Sequence, residues 1–237
     1  MAVAFLERCA AGLKRTLPRA IWSLLRAIGT GVITPISFSL KTGHWKSSVQ
    51  QSSVLPDGTP IPWYTYPAIH FLKQRNFENK NILEFGGGQS TLWWSTRARS
   101  VFTIDENLDW FERLNQKIGK NVSLHHVPVD HETRTVLPIK KLIDANPVKK
   151  FDIIVVDGHL RQEATALAFD YLAPKGAIIL DNAEGYGFYE ETKARNCRRI
   201  DFFGFAPGVS LGHCTSIVFV EDCFLLMPDI PIAKRFY

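Results

Sequence analysis

Ile82-Leu83-Glu84-Phe85 runs directly into Gly86-Gly87-Gly88 and then into Gln89-Ser90-Thr91. An apolar strand that ends in three glycines leaves room for a ligand to approach the backbone closely. Ser90 or Thr91 can cap the helix that follows, and the free N–H groups opening such a helix suit an anionic group. Glu84, two residues before the first glycine, points to a ligand that also carries positive charge. Val101-Phe102-Thr103-Ile104-Asp105 supplies a second carboxylate, 19 residues after Gly86. In nucleotide-binding βαβ units that position receives ribose hydroxyls. Asp105 could equally cap the helix opening at Asn107-Leu108-Asp109.

Two more strand ends carry chemistry. Phe151–Val156 delivers Asp157, followed by Gly158-His159-Leu160-Arg161, and Ala177–Leu180 delivers Asp181 and Asn182. Asp157, Asp181 and Asn182 together form an oxygen donor set suited to a hard cation such as Mg²⁺. His159 could instead accept a proton near neutral pH. Plainer roles are also open: Asp-Gly as a turn, Arg161 paired with Asp157, Asp181 as a helix cap. Metal-dependent and metal-free chemistry therefore both stand. Of the other histidines, His213 lies in the hairpin loop and could reach the site, while His70 falls on a helix and His125 and His126 on strand three, where one of the two faces solvent. Trp63 and Tyr64 could line a pocket, and Tyr66 reads as core.

These residues need a scaffold that brings strand ends together. Short apolar runs at 81–85, 100–104, 122–127, 151–156, 177–180 and 216–220 alternate with helical patterns near 66–75, 90–97, 107–118, 161–173 and 187–195. That alternation predicts a doubly wound α/β fold with a parallel sheet. Arg198–Phe205 and Cys214–Glu221, joined across Pro207-Gly208 without a helix, predict an antiparallel hairpin at the sheet edge.

The chain has 237 residues and a net charge of +5, unevenly placed. Residues 1–50 hold Arg8, Lys14, Arg15, Arg19, Arg26, Lys41 and Lys46 against Glu7 alone, so the remainder is close to neutral. A body without basic excess argues against a nucleic-acid partner. Leu6, Cys9, Ala10, Leu13 and Leu17, then Ile21, Leu24, Leu25 and Ile28 past Pro18, recur at helical spacing beside basic residues. Residues 1–28 thus read as amphipathic helices that could lie on an anionic membrane surface, or pack on the domain or on a second subunit of a homodimer. The uncharged stretch from Ala27 to Leu40 is too short to span a bilayer and contains Pro35. The polar, turn-rich stretch 41–61 sets the domain boundary: 1–61 as helices and linker or lid, 62–237 as the α/β domain. The four cysteines form no C-x-x-C pair, in keeping with a reducing, cytoplasmic setting, with peripheral membrane association open.

Glu84-x-Gly86-x-Gly88 after strand one, Asp105 ending strand two, Asp157 ending strand four and Asp181-Asn182 ending strand five resemble the class I S-adenosylmethionine-dependent methyltransferases. The resemblance covers roughly 62–221. It implies a Rossmann-like seven-stranded sheet, order 3-2-1-4-5-7-6 with strand 7 antiparallel. It also implies that Glu84, Gly86, Gly87, Gly88 and Ser90 hold the methionine part of S-adenosylmethionine and Asp105 its ribose, with Asp130 in reach of the adenine. The Asp157, Asp181, Asn182 trio is similar to the Mg²⁺ ligands of catechol and caffeoyl-CoA O-methyltransferases, and the Asp-Gly stretch to macrocin-type enzymes. The lysine those first enzymes carry three residues after the first Asp is Leu160 here, which leaves His159 and Asp157 as the candidate catalytic pair. The expected reaction is methyl transfer to an oxygen of a small-molecule or lipid-like acceptor. A non-catalytic, membrane-associated adenosyl-binding module is the rival. A nicotinamide-dependent oxidoreductase fits less well, because Thr91 stands where G-x-G-x-x-G needs its third glycine.

Overall fold

In the computed structural model, residues 14–130, 132–186 and 188–227 are described. The strands are β1 (Asn81–Phe85), β2 (Ser100–Asp105), β3 (Val122–His126), β4 (Phe151–Val156), β5 (Leu172–Leu180), β6 (Arg198–Phe205) and β7 (Gly212–Phe219). They form one sheet in the order β3-β2-β1-β4-β5-β7-β6. β1 to β5 pair in parallel, and β7 runs antiparallel to both β5 and β6. This is the expected strand order, edge hairpin included.

The helices are α1 (Arg19–Lys41), α2 (His44–Gln50), α3 (Tyr66–Lys73), α4 (Gln89–Ser95), α5 (Leu108–Asn115), α6 (Leu137–Ala145), α7 (Arg161–Tyr171) and α8 (Tyr189–Ala194). Side chains alternate across the pleat, so a strand buried on both faces reads as a continuous apolar run. Ile82, Val101, Ile153 and Ile179 face a core that includes Ile69 and Leu72 of α3 and Trp93 and Trp94 of α4. Leu83, Phe102, Ile154 and Ile178 face the other core, with Ile143 of α6 and Leu167 and Ala168 of α7. Ile153 and Ile154 are fully buried on opposite faces, each stabilising the fold by about 1.5–3 kcal/mol. The β4 end that carries Asp157 is therefore held from both sides.

Three features depart from the sequence expectation. Helix α6 between β3 and β4 was not expected; only Ile139 and Ile143 of it are buried, a stripe too narrow to read beside two lysines. Residues 42–61, expected as linker or lid, pack into the body: Ser47, Ser53 and Ile61 are buried, and Gly208 donates its N–H to His44 Nδ1 at 3.2 Å. The stretch from Ala27 to Leu40, expected to be too short to span a bilayer, is instead part of the continuous helix α1, which by length and composition is long and apolar enough to cross a membrane. A π turn over Gly29–Ile33, where Thr34 N–H bonds Gly29 O, precedes the proline. Its wider winding absorbs the contact that Pro35 would otherwise make with the preceding turn. The expected helix through Leu6, Cys9, Ala10 and Leu13 lies outside the described residues, as does the 1–13 part of the expected membrane contact.

Candidate active site

The C-terminal ends of β1, β2 and β4 enclose a cavity of about 420 Å³. Gly86, Gly87, Gly88 and Ser90 form one wall, Asp105 and Glu106 a second, and Asp157-Gly158 a third, with Trp63 and Trp110 at the rim. Gly86 is the position that most needs to be glycine. Its φ is +90°, and a Cβ there would sit 2.6 Å from Gly158 N, so strands one and four close on each other at this point. A Cβ on Gly88 would instead meet the Trp110 ring at 3.5 Å, ordinary contact on the cavity side.

The expected cofactor residues come together, with altered roles. Glu84 is fully buried and off the cavity wall. Its Oε2 accepts from Thr91 and, at 3.0 Å, from Thr103, and Thr91 Oγ1 accepts Gly88 N–H at 3.0 Å. Glu84 thus anchors the loop from beneath, and its Oε1 has no partner. Asp105 lines the cavity while accepting Gly87 N–H at 2.6 Å and Asn107 N–H at 2.8 Å. It therefore serves the glycine loop and the helix entry at once, with a second lone pair on each oxygen for a ligand hydroxyl. Glu106 and Trp110 were missed from sequence. Glu106 had a signal, since it directly follows the strand-ending Asp105; Trp110 had none beyond its place in an amphipathic helix. Trp63 is at the rim as expected, its Nε1 donating to Pro207 O at 2.8 Å, while Tyr64 and Tyr66 are core.

Asp157, Asp181 and Asn182 also converge, around a cation the chain already owns. Arg161 donates to Asp157 Oδ1 at 2.9 Å, to Gly158 O at 2.9 Å and to the Asp181 carbonyl, and reaches Asn182 Oδ1 at 3.5 Å. Asp181 Oδ1 accepts from Thr215 at 2.7 Å. Among the described residues no three His, Cys, Asp or Glu side chains are grouped to hold a metal ion. One oxygen of each aspartate is engaged by a guanidinium or a hydroxyl, and the guanidinium already stands among the three side chains, so the trio does not fit a divalent cation. Leu160 and Asn182 hold left-handed backbone at φ +49° beside this cluster, the kind of strain that persists where surrounding structure enforces it.

A second cavity of about 380 Å³ shares Glu106, Asp157 and Gly158 with the first. Arg134, His159, Arg161 and Tyr186 supply its other walls. His159 Nδ1 is hydrogen-bonded to Glu106, and its ring is largely exposed. His213, on the other side of the strand ends, contacts Glu184 at 2.9 Å and Asn182 at 3.3 Å. His125 and His126 stack on Phe102 and Phe111 and take no part. Asp130 caps its own loop through Thr133 and lines neither cavity.

Burial sets the protonation of this floor. Desolvation lifts Glu84 to about 7 against the hydroxyl bonds that favour its charge, and lifts Asp157 to about 6 against the pull of Arg161. Asp181 is raised by burial and then by the Asp157 charge, and Asp105 by burial. Burial is the largest cause of each shift, and a cationic ligand beside Asp105 or Asp157 would oppose it.

No protein-family profile matches the chain, and no curated protein does. Solved structures do. An O-methyltransferase from Bacillus cereus, solved with SAH, is similar over 84% of this chain and 97% of its own, at 15% identity and a TM-score of 0.50. The chain has the class I methyltransferase fold. Two further structures are similar at lower scores: the O-methyltransferase TomG from Streptomyces achromogenes in complex with SAM (18% identity, 65% and 76% covered, TM-score 0.47) and the tRNA (m1A58) methyltransferase TrmI from Aquifex aeolicus (17%, 66% and 70%, 0.46). Within a class I methyltransferase fold, the glycine-walled cavity lies at the switch point between β1 and β4, where open α/β sheets bind ligands.

Proposed function

We propose that the chain is an S-adenosylmethionine-dependent methyltransferase acting on an oxygen of a small-molecule or lipid-like acceptor. One observation carries the cofactor: Asp105, Glu106 and Asp157 face the cavity, and no Lys or Arg is among its described lining residues. A pyrophosphate would find carboxylates and no facing cation there, whereas a ligand bearing an ammonium and a sulfonium finds attracting charge. Gly86–Gly88 and Ser90 would hold the methionine part, and Asp105 with Glu106 the ribose. S-adenosylmethionine, when bound, supplies a methyl group on positively charged sulfur.

The acceptor occupies the second cavity, across the shared Asp157-Gly158 wall. His159 takes its proton, and Glu106 orients the imidazole and balances the charge it gains. Arg161 fixes Asp157 and the strand-five end, so acceptor and donor meet at a rigid wall; such alignment is the main contribution expected of the protein. The reaction then needs no divalent cation. An oxygen acceptor is supported by the histidine–carboxylate pair and by the overall likeness to the Bacillus cereus O-methyltransferase.

Thermal shift and turnover with S-adenosylmethionine, with and without chelator, test this reading. Binding with methyl transfer that ignores chelator supports it. Binding without transfer to any oxygen acceptor would favour the adenosyl-binding module.

A further inference from the structure

Helix α1 spans 23 residues, about 34 Å, and none of its residues is buried. Ile21, Leu24, Leu25, Ile28, Val32, Ile33, Ile36 and Leu40 are each between 46% and 63% exposed. The π turn over Gly29–Ile33 decides how they are arranged. A π turn winds in about one residue more than an α turn, so numbers past its middle residue, Gly31, are set back by one. Counted so from Ile21, the apolar residues fall at offsets 3, 4, 7, 10, 11, 14 and 18, one continuous face. Arg19, Ser23, Arg26, Thr30, Thr34 and Lys41 follow a second face at offsets 4, 7, 11, 14 and 21 from Arg19. Thr30 and Thr34 bond backbone carbonyls of the helix, at 2.9 Å to Arg26 O and 3.0 Å to Gly29 O. Phe38, which anchors α1 to the body through an edge contact of 5.2 Å with Tyr66, falls roughly opposite Ile21. The apolar face therefore points away from the sheet domain.

We infer that α1 lies in the plane of a membrane, with Ile21, Ile28 and Ile36 among the acyl chains and Arg19 and Arg26 among anionic headgroups. A helix two-faced along its whole length suits an interface, whereas a spanning helix would carry Arg26, Thr30 and Thr34 through the hydrocarbon. The arginines supply the charge complementarity that selects anionic lipid over a second basic copy of this chain. This inference stands apart from the methyl-transfer reading, since it concerns a helix remote from both cavities.

The test is co-sedimentation of the full chain with vesicles of phosphatidylcholine alone or mixed with phosphatidylserine. Binding is expected to the mixed vesicles, with release by alkaline carbonate. Ile28→Glu with Ile36→Glu should weaken it at least tenfold, and Arg15→Gln, Arg19→Gln and Arg26→Gln together by roughly a hundredfold. Thr30→Lys with Thr34→Lys should bind at least as well as wild type, because they share the headgroup-level face of Arg19 and Arg26 and add positive charge; loss of binding there, or retention through carbonate, would show a spanning helix and overturn the inference. Absence of vesicle binding, with a dimer in sedimentation velocity that Ile28→Glu dissolves, would assign the face to a second copy instead.

Discussion

Replacing Arg161 by alanine removes the cation that stands among Asp157, Asp181 and Asn182. The Arg161 side chain is 10% exposed and that of Asp157 24%, so the pair is largely but not wholly desolvated. Breaking a buried pair from one side costs about 3–5 kcal/mol. Partial exposure puts this site at the lower end, about 3 kcal/mol, before counting the bonds to Gly158 and Asp181 carbonyls. At about 2–4 °C per kcal/mol for a chain of this size, the Tm should fall by roughly 6–12 °C at pH 7.5. Asp157, already lifted to about 6 by burial, loses the group that holds it down and rises further. The loss should therefore shrink at pH 5, where the variant's Asp157 is neutral and needs no partner. The variant also frees the oxygens of Asp157 and Asn182, so Mg²⁺ should raise its Tm while leaving wild type unchanged. Differential scanning fluorimetry at both pH values, with Mg²⁺ or chelator, reads all of this. A wild-type Tm or activity that falls with chelator, or a variant as stable as wild type at pH 7.5, would refute the view that Arg161 stands where a metal ion would.

Gly86→Ala should cost about 1–2 kcal/mol in left-handed strain, with further loss from a Cβ driven against Gly158; near wild-type denaturation with intact S-adenosylmethionine binding would count against the close approach of β1 and β4. Asp105→Ala should weaken that binding by about 1–3 kcal/mol in calorimetry, the scale of charge-assisted hydrogen bonds. His159→Ala should lower kcat by roughly 10²–10⁴-fold with little change in cofactor affinity, and an unchanged kcat would remove it as the base. Because Glu84 and Asp157 titrate above the ordinary carboxyl range, the folded, ligand-free chain keeps protons that the unfolded chain releases. Its stability should therefore decline as pH rises from about 4 to 7, and the stabilisation by S-adenosylmethionine should be larger at pH 7.5 than at pH 5.

Much of this was legible from residue patterns. Strand β4, buried on both faces, writes itself as Phe151–Val156, and the edge hairpin shows because no helical stretch separates its strands. The glycine loop and the carboxylates ending β1, β2, β4 and β5 were legible for the same reason: strand ends are easy to place. Side-chain direction was not. Glu84 at a strand end gave no sign that it would turn under the loop to Thr91 and Thr103 rather than face a ligand. Arg161 was visible as a partner for Asp157, yet its reach across to Asp181 and Asn182 depends on how the β4 and β5 ends pair. In α1, the uncharged stretch around Pro35 read as too short to span a bilayer, because a π turn that carries the helix past the proline leaves no local mark in composition.

The central claim is that the glycine-walled cavity takes a cationic adenosyl ligand. Titration calorimetry of the full chain at pH 7.5 with S-adenosylmethionine, S-adenosylhomocysteine and NAD tests it most directly. One site should bind the first two, with Asp105→Ala and Gly86→Ala each weakening them, and NAD should give no heat. Tighter binding of NAD than of S-adenosylmethionine, or binding that ignores both substitutions, would contradict the account.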